Sequence, residues 1–290
     1  MGLFNSYTKP GKGISKEDVD KSGIALYFDI LLRRFWKLIT VNIFYIIASI
    51  PAIIIAYFIA SWFLMSGFSN LLKTTSVDTI ATAVTLYSIP IAALILQIFG
   101  SGPATVAMTS IVGKYVKDTH AWVWSDFIDG IKSNFKQGMA VYIINTVVLF
   151  LSVFAFLFYT FVMKDQMANI LRTVIMVFII IFSIMQMYTY RLVAEFELKI
   201  KHIYKNALLL TVVGLKWNLL AIAVGIGFIY GMFSLFAGTA GLSAIGLIVV
   251  IAIYFTLTAF NKIFITNNVI KKYMLEPSLK MQTEQEKEEQ

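Results

Sequence analysis

The sequence predicts an all-α, polytopic membrane protein of about six transmembrane helices, with amphipathic helices lying at the cytoplasmic interface. Three observations lead there. Of 290 residues, 59% are hydrophobic and 14% charged, whereas a soluble domain has about 45–50% and about 25%. No Asp, Glu, Lys or Arg occurs at 38–72, 79–113, 137–163, 173–190 or 217–261, and a helix needs ~20 apolar residues to cross ~30 Å of hydrocarbon. Finally, 21 of the 24 basic residues lie in four segments: up to residue 37, 113–138, 191–216 and from 261 onward. Only Lys73, Lys164 and Arg172 lie in the alternate segments. Short loops rich in Lys and Arg stay inside, so both termini are expected in the cytoplasm and the number of spans is even.

The elements follow in order. Residues 1–22 are polar, with Pro10, Gly11 and Gly13, and have no apolar core of a signal peptide. A flexible cytoplasmic leader is expected. Its start, Met1-Gly2-Leu3-Phe4-Asn5-Ser6, formally fits a myristoylation signal, but so short a match to a eukaryotic modification does not displace that reading. Ile24, Tyr27, Phe28, Leu31, Leu32 and Phe35 form one stripe at helical spacing, which predicts an interfacial helix leading into the first span. Spans are expected at 39–65, 84–112, 139–162, 171–190, 217–236 and 241–260, with Gly238-Thr239-Ala240-Gly241 turning the chain between the last two. A single transmembrane domain over 23–275 results. The charged tail 276–290 has no apolar periodicity and is expected to be disordered.

The stretch 84–112 is too long for one regular crossing and contains Pro90 and Gly100-Ser101-Gly102-Pro103. Gly100, Gly102 and Pro103 therefore predict a structural break, since Pro103 lacks a donor and biases its predecessor away from helix. In hydrocarbon such a break must be packed against protein or face water.

With no cysteine, disulfides, thiolate metal sites and cysteine nucleophiles are excluded. His120 with Asp118, and His202 with Glu195 and Glu197, are the only clusters that resemble catalytic or metal sites, and neither has a metal-binding spacing. Both read as solvated helix faces. No catalytic residue, cofactor or metal site is expected, and the net charge of +8 reads as membrane topology, not nucleic-acid binding. The uncharged runs contain no ionisable group that could serve proton or ion coupling. Asn42, Gln97, Asn145, Gln186, Asn218, Tyr188 and Tyr190 are their polar residues, expected to bond between helices. Gly225, Gly227 and Gly231 suggest a close helix contact.

The 113–138 loop predicts an amphipathic helix with Trp124, Phe127, Ile128, Ile131 and Phe135 on one face and Asp126, Asp129, Lys132 and Lys136 on the other. Trp124, Asp126, Phe127, Asp129, Lys132, Phe135 and Lys136 are candidate partner-docking residues, because acids on a helix that merely floated on an anionic leaflet would be penalised. The two carboxylates should meet basic groups of a partner, or else pair with Lys132 and Lys136. A third such segment spans 191–216. Asn134-Phe135-Lys136-Gln137-Gly138 and Ile203-Tyr204-Lys205-Asn206-Ala207 are also alike. Either an internal repeat or the common need of such helices for aromatics and lysines accounts for this.

Gly102-Pro103-Ala104-Thr105-Val106-Ala107-Met108, the loop His120-Ala121-Trp122-Val123-Trp124-Ser125-Asp126-Phe127 and Lys132-Ser133-Asn134-Phe135-Lys136-Gln137 resemble the YesL-like family of bacterial integral membrane proteins, a domain of unknown function. Met1 to Tyr7 and Phe35-Trp36-Lys37-Leu38 to Asn42 resemble its Firmicute members. Relative to that family, the chain looks as if it carries an insertion at 60–95. Members are often encoded beside sugar-binding proteins and ABC-type importers, so the resemblance implies a part in carbohydrate uptake. Two functions are therefore expected: an accessory or regulatory subunit of a sugar importer, or a stand-alone transporter or channel with the break at 100–103 lining its path.

Overall fold

The structure, a computed structural model, describes residues 23–71, 102–163, 165–236 and 240–277. Among these residues every regular element is helical. The order is α1 Gly23–Leu71, α2 Gly102–Val116, α3 Val123–Ser133, α4 Phe135–Phe161, α5 Gln166–Glu195, α6 Ile200–Val213, α7 Leu215–Phe236 and α8 Ala240–Ile270, followed by a π-helical turn at Lys271–Leu275. Three helical stretches are long and apolar enough to cross a membrane: Gly23–Ile55, Phe135–Phe161 and Gln166–Glu195. A fourth is added if Ile200–Val213 and Leu215–Phe228, which meet at 87°, form one span. Five of the six expected spans fall on α1, α4, α5, α7 and α8. Most of the sixth, 84–112, lies outside the described residues, as do the leader, Gly100, most of the 60–95 segment and the tail beyond residue 277.

The chain divides after Phe35. In the first unit, helical from Gly23, Asp29 and Arg33 pair at 3.4 Å one turn apart. Ile24, Phe28 and Leu32 are exposed.

The second unit is built around α2, a helix of small and branched residues of which only Ser110 and Lys114 escape full burial. Its amphipathicity is weak because it has neighbours on every side: α3, α4, α5 and α8 all pack against it. Gly102 opens the helix at φ +22°, and a Cβ there would lie 2.8 Å from the Gly138 carbonyl oxygen. Gly138 reciprocates, since its own Cβ would stand 3.1 Å from Pro103. Two backbones therefore touch where the sequence predicts a break, and Pro103 sits in the first turn, where its missing N–H costs least. At the other end the Thr119 amide donates to the Lys114 carbonyl at 2.8 Å and the Asp118 amide to Tyr115 at 3.0 Å. With Asp118 at φ 54°, this is a Schellman stop, in which Asp takes the left-handed position that favours Gly or Asn. Asp118 thus ends a helix.

Two expectations are corrected here. The amphipathic helix of the 113–138 loop ends at Ser133, and Phe135 and Lys136 belong to the next helix, α4. Asn134 turns the corner at φ −107°, ψ 13°, with its amide donating to the Gly130 carbonyl and the Ser133 hydroxyl. The segment 191–216 is likewise not one amphipathic unit: Arg191 to Glu195 complete α5, and α6 begins only at Ile200.

α6 and α7 join at Gly214, at φ −86°, ψ 10°, so two short helices meet long apolar ones through the same bend. In both, the ladder resumes from the corner residue, with Gly138 N donating to Asn134 O and Asn218 N to Gly214 O. The backbone therefore matches Asn134 with Gly214, a different register from the pairing of 134–138 with 203–207. Among the described residues the expected close contact at Gly225, Gly227 and Gly231 is not seen. A Cβ at Gly225, Gly227 or Gly231 would meet no described atom within 4 Å.

A candidate docking site at the lysine-rich end

Polar residues of the apolar runs bond between helices, and in doing so they fix one end of the structure. The Asn42 carboxamide of α1 donates to the Ile251 carbonyl at 2.7 Å and accepts from the Phe255 and Thr256 amides at 3.1 Å. It thus engages backbone groups that lie one α-helical turn apart on α8. Tyr188 donates to Asn218 at 2.5 Å, and Asn218 donates to the Thr211 carbonyl at 3.0 Å, tying α5 to the Gly214 corner. Tyr204 donates to Asn145 at 2.8 Å, joining α6 to α4. Tyr190 also reaches Asn145, with Tyr45, Tyr142 and Tyr204 around it. Gln97 lies outside the described residues.

Charge enters at the ends of α2 and α5. Arg191 is 1% exposed, yet every face of its guanidinium is used. Nε donates to Glu195 at 2.9 Å, one Nη to the Ile263 carbonyl at 3.1 Å and the Thr266 hydroxyl at 3.4 Å, and the other to Asn267 at 2.6 Å. Glu195 also accepts from Lys117 at 2.8 Å. One cluster therefore joins α2, α5 and α8. An unpaired charge here would be costly to bury, which explains why all three guanidinium nitrogens find partners. The reading of Glu195 as part of a solvated face is corrected, while Glu197 and His202 are exposed as that reading required. The sequence signal for the buried pair was present in the i,i+4 spacing of Arg191 and Glu195, immediately after an apolar run.

This cluster and the bond from the Gln137 side chain to the Leu198 carbonyl bring the 113–138 and 191–199 segments and the end of α8 together at one end. Between them opens a cavity of about 710 Å³, lined by Ser133, Asn134 and Gln137 from the α3–α4 corner and by Val193 to Lys199. Residues 196–199 have no regular structure, and the Leu198 amide donates to the Phe196 carbonyl at 3.0 Å in a tight turn about Glu197. Phe196 and Leu198 pack on the core, while Glu197 and Lys199 are exposed. The charged lining residues are Glu195, Glu197 and Lys199, and the adjoining helices carry exposed Lys132, Lys136, Lys201 and Lys205 against Asp129. Among the described residues, no three His, Cys, Asp or Glu side chains gather as metal ligands would.

The candidate docking residues divide. Phe127 is buried and its ring centroid lies 6.0 Å from that of Phe44 of α1, while α3 lies so close to α2 that a Cβ on Gly130 would stand 3.1 Å from Ala107. Asp126 pairs with Lys114 of α2 at 3.0 Å and accepts from the Trp122 amide at 3.0 Å. Within the chain its partner is therefore Lys114 and not Lys132. Asp129 accepts from Ser125 at 3.2 Å. Trp124, Asp129, Lys132, Phe135 and Lys136 remain exposed. Gly102 and Pro103 form the buried crossing with α4 described above, and Gly100 lies outside the described residues.

The α2 crossing, the α3 corner and most of α1 and α4 form one stretch of chain that is also similar to a known family. Residues 38–156 match the family model described as "Protein of unknown function, DUF624". No curated protein matches the chain, and no solved structure does.

Proposed function

We propose that this protein is a non-catalytic subunit of the cell membrane, similar to the YesL-like proteins, that assists or regulates a carbohydrate importer. It has six spans and both termini in the cytoplasm. The observation that carries this reading is the open, polar cavity at the lysine-rich end, with walls tied together by the Arg191–Glu195–Lys117 cluster and by Gln137. The exposed lysines of the adjoining helices, Lys132, Lys136, Lys201 and Lys205, suit an acidic patch on a membrane or cytoplasmic subunit of the importer. A solute path at the break is less well supported, because Gly102 and Pro103 press against Gly138 and Tyr142 without room for a Cβ.

The test uses the absence of native cysteine. Cysteine at Glu197 or Ser133, carrying a short crosslinker in intact cells, should capture a sugar-importer subunit identifiable by mass spectrometry. Cysteine at Val162, at the far end of α4, should not. Sugar flux through liposomes holding this protein alone would sink the proposal and favour a stand-alone transporter.

A further inference from the structure

α6 buries Ile203, Ala207, Leu210 and Thr211, and its opposite face changes character along its length. Lys201, His202 and Lys205 are exposed in the first half, and Leu208, Leu209, Val212 and Val213 in the second. A switch from charged to apolar exposure within one turn marks where the helix passes from water into hydrocarbon.

Beyond that boundary stands one cation. Lys216, in the first turn of α7, is exposed among Val212, Val213, Leu215, Leu219 and Leu220, which are exposed too. No Asp or Glu occurs anywhere between Glu197 and Glu276, so α6, α7 and α8 offer it no carboxylate. Its one described contact is the Trp217 ring, whose centroid lies 5.9 Å from Nζ. An ammonium at the edge of hydrocarbon needs an anion or water. The 87° turn at Gly214 sets it beside the apolar second half of α6, a place that acyl chains can cover.

We propose that this corner is a binding site for an anionic phospholipid, with the headgroup phosphate on Lys216, the Trp217 indole at headgroup level and the acyl chains along Leu208, Val212 and Leu215. The corner at Asn134 repeats the order of an exposed apolar residue followed by an exposed lysine, in Phe135 and Lys136. There, however, Asp129 lies within the preceding two turns, so the attraction is weaker. The site is independent of whether the lysine-rich cavity docks an importer.

The experiment reconstitutes the full chain in nanodiscs of mixed phosphatidylcholine and phosphatidylglycerol and counts retained lipids by native mass spectrometry. The wild type should retain phosphatidylglycerol in preference to phosphatidylcholine. Lys216→Gln should lower that preference about fivefold, the worth of one basic group at an anionic surface. Lys216→Arg should restore it, and Lys201→Gln, in the aqueous half of α6, should leave it unchanged. Equal retention of the two lipids by the wild type would overturn the site, since Lys216 would then only reach up to water. So would unchanged retention in Lys216→Gln, or an equal loss in Lys201→Gln.

Discussion

Arg191 and Glu195 stand one turn apart on α5 and close a 2.9 Å ion pair from which water is almost wholly excluded. The same carboxylate accepts from Lys117, which is far more exposed. These two bonds to one acid should therefore differ greatly in energetic weight.

Removing Arg191 leaves Glu195 and the Ile263 carbonyl without their buried donor. Arg191→Met should cost about 3–5 kcal/mol, read as a large fall in the melting temperature in detergent. Lys117→Ala, at a partly exposed bond, should cost no more than about 1 kcal/mol. The double variant Arg191→Met/Glu195→Leu should be more stable than Arg191→Met alone, because no unpaired charge remains buried. Additive losses in that cycle would contradict the account.

Asn42→Leu should destabilise by about 1–3 kcal/mol, because the Ile251 carbonyl, which accepts from the Asn42 amide, loses that donor in a buried setting. Asn42→Asp preserves the acceptor and loses the donor, so it should be harmful too. Hydrogen exchange at Phe255 and Thr256 should quicken in Asn42→Leu. Unchanged protection there would show that α8 does not rely on this side chain.

At the α2–α4 crossing, Gly138→Ala forces a methyl to within 3.1 Å of Pro103, and Gly102→Ala adds a left-handed strain to a 2.8 Å clash with a backbone oxygen. Both should lower stability or folded yield. Gly225→Ala and Gly227→Ala on α7 meet no described atom and should be neutral or slightly stabilising, since Ala exceeds Gly in helix propensity by about 1 kcal/mol. Thermal melts of the four variants in the same detergent distinguish these outcomes.

Asp126 and Asp129 should behave differently under charge reversal. Asp126→Lys breaks the bond to Lys114 and frees the Trp122 amide, so it should destabilise the α2–α3 corner whatever the partner. Asp129→Lys changes only an exposed face and should leave the unfolding free energy within about 0.5 kcal/mol of wild type. It is therefore the clean probe of docking. Loss of a crosslinked partner from Asp129→Lys at full stability would place the contact there.

On the proposed topology, cysteines at Thr119 and Lys201 should resist an impermeant thiol reagent added outside intact cells and react after the inner face is exposed. Labelling from outside at either position would invert the arrangement.

What the sequence revealed and what it hid follow from physical causes. Charge-free runs located α4, α5 and α7 because in lipid the whole helix surface, not one face, must be apolar. Asn42, Asn145 and Asn218 could be read as interhelical hydrogen-bonding groups because nothing else in an apolar run can satisfy them. The corner at Asn134 was hidden because apolar spacing continues across it: Phe127, Ile131 and Phe135 keep a helical interval although the helix axis does not continue. The burial of Arg191 is hidden because it depends on Thr266 and Asn267, more than seventy residues away. The pairing of Asp126 is hidden for a similar reason, its lysine lying on the preceding helix.

The burial of α2 bears on how the chain is assembled in the bilayer. Its 15 residues rise only about 22 Å, less than the ~30 Å of hydrocarbon. It also presents almost no surface to lipid, so partitioning alone gives it little reason to enter. The long helices α4 and α5 can insert as independent spans, but α2 gains its place from the Gly138 backbone, the α3 face and the Glu195 carboxylate, all of which are synthesised after it. Insertion order and chain order therefore part company here. The nascent chain must hold this segment at the membrane surface until at least α5 has emerged, and a ribosome-stalled intermediate ending before Glu195 should leave α2 open to protease.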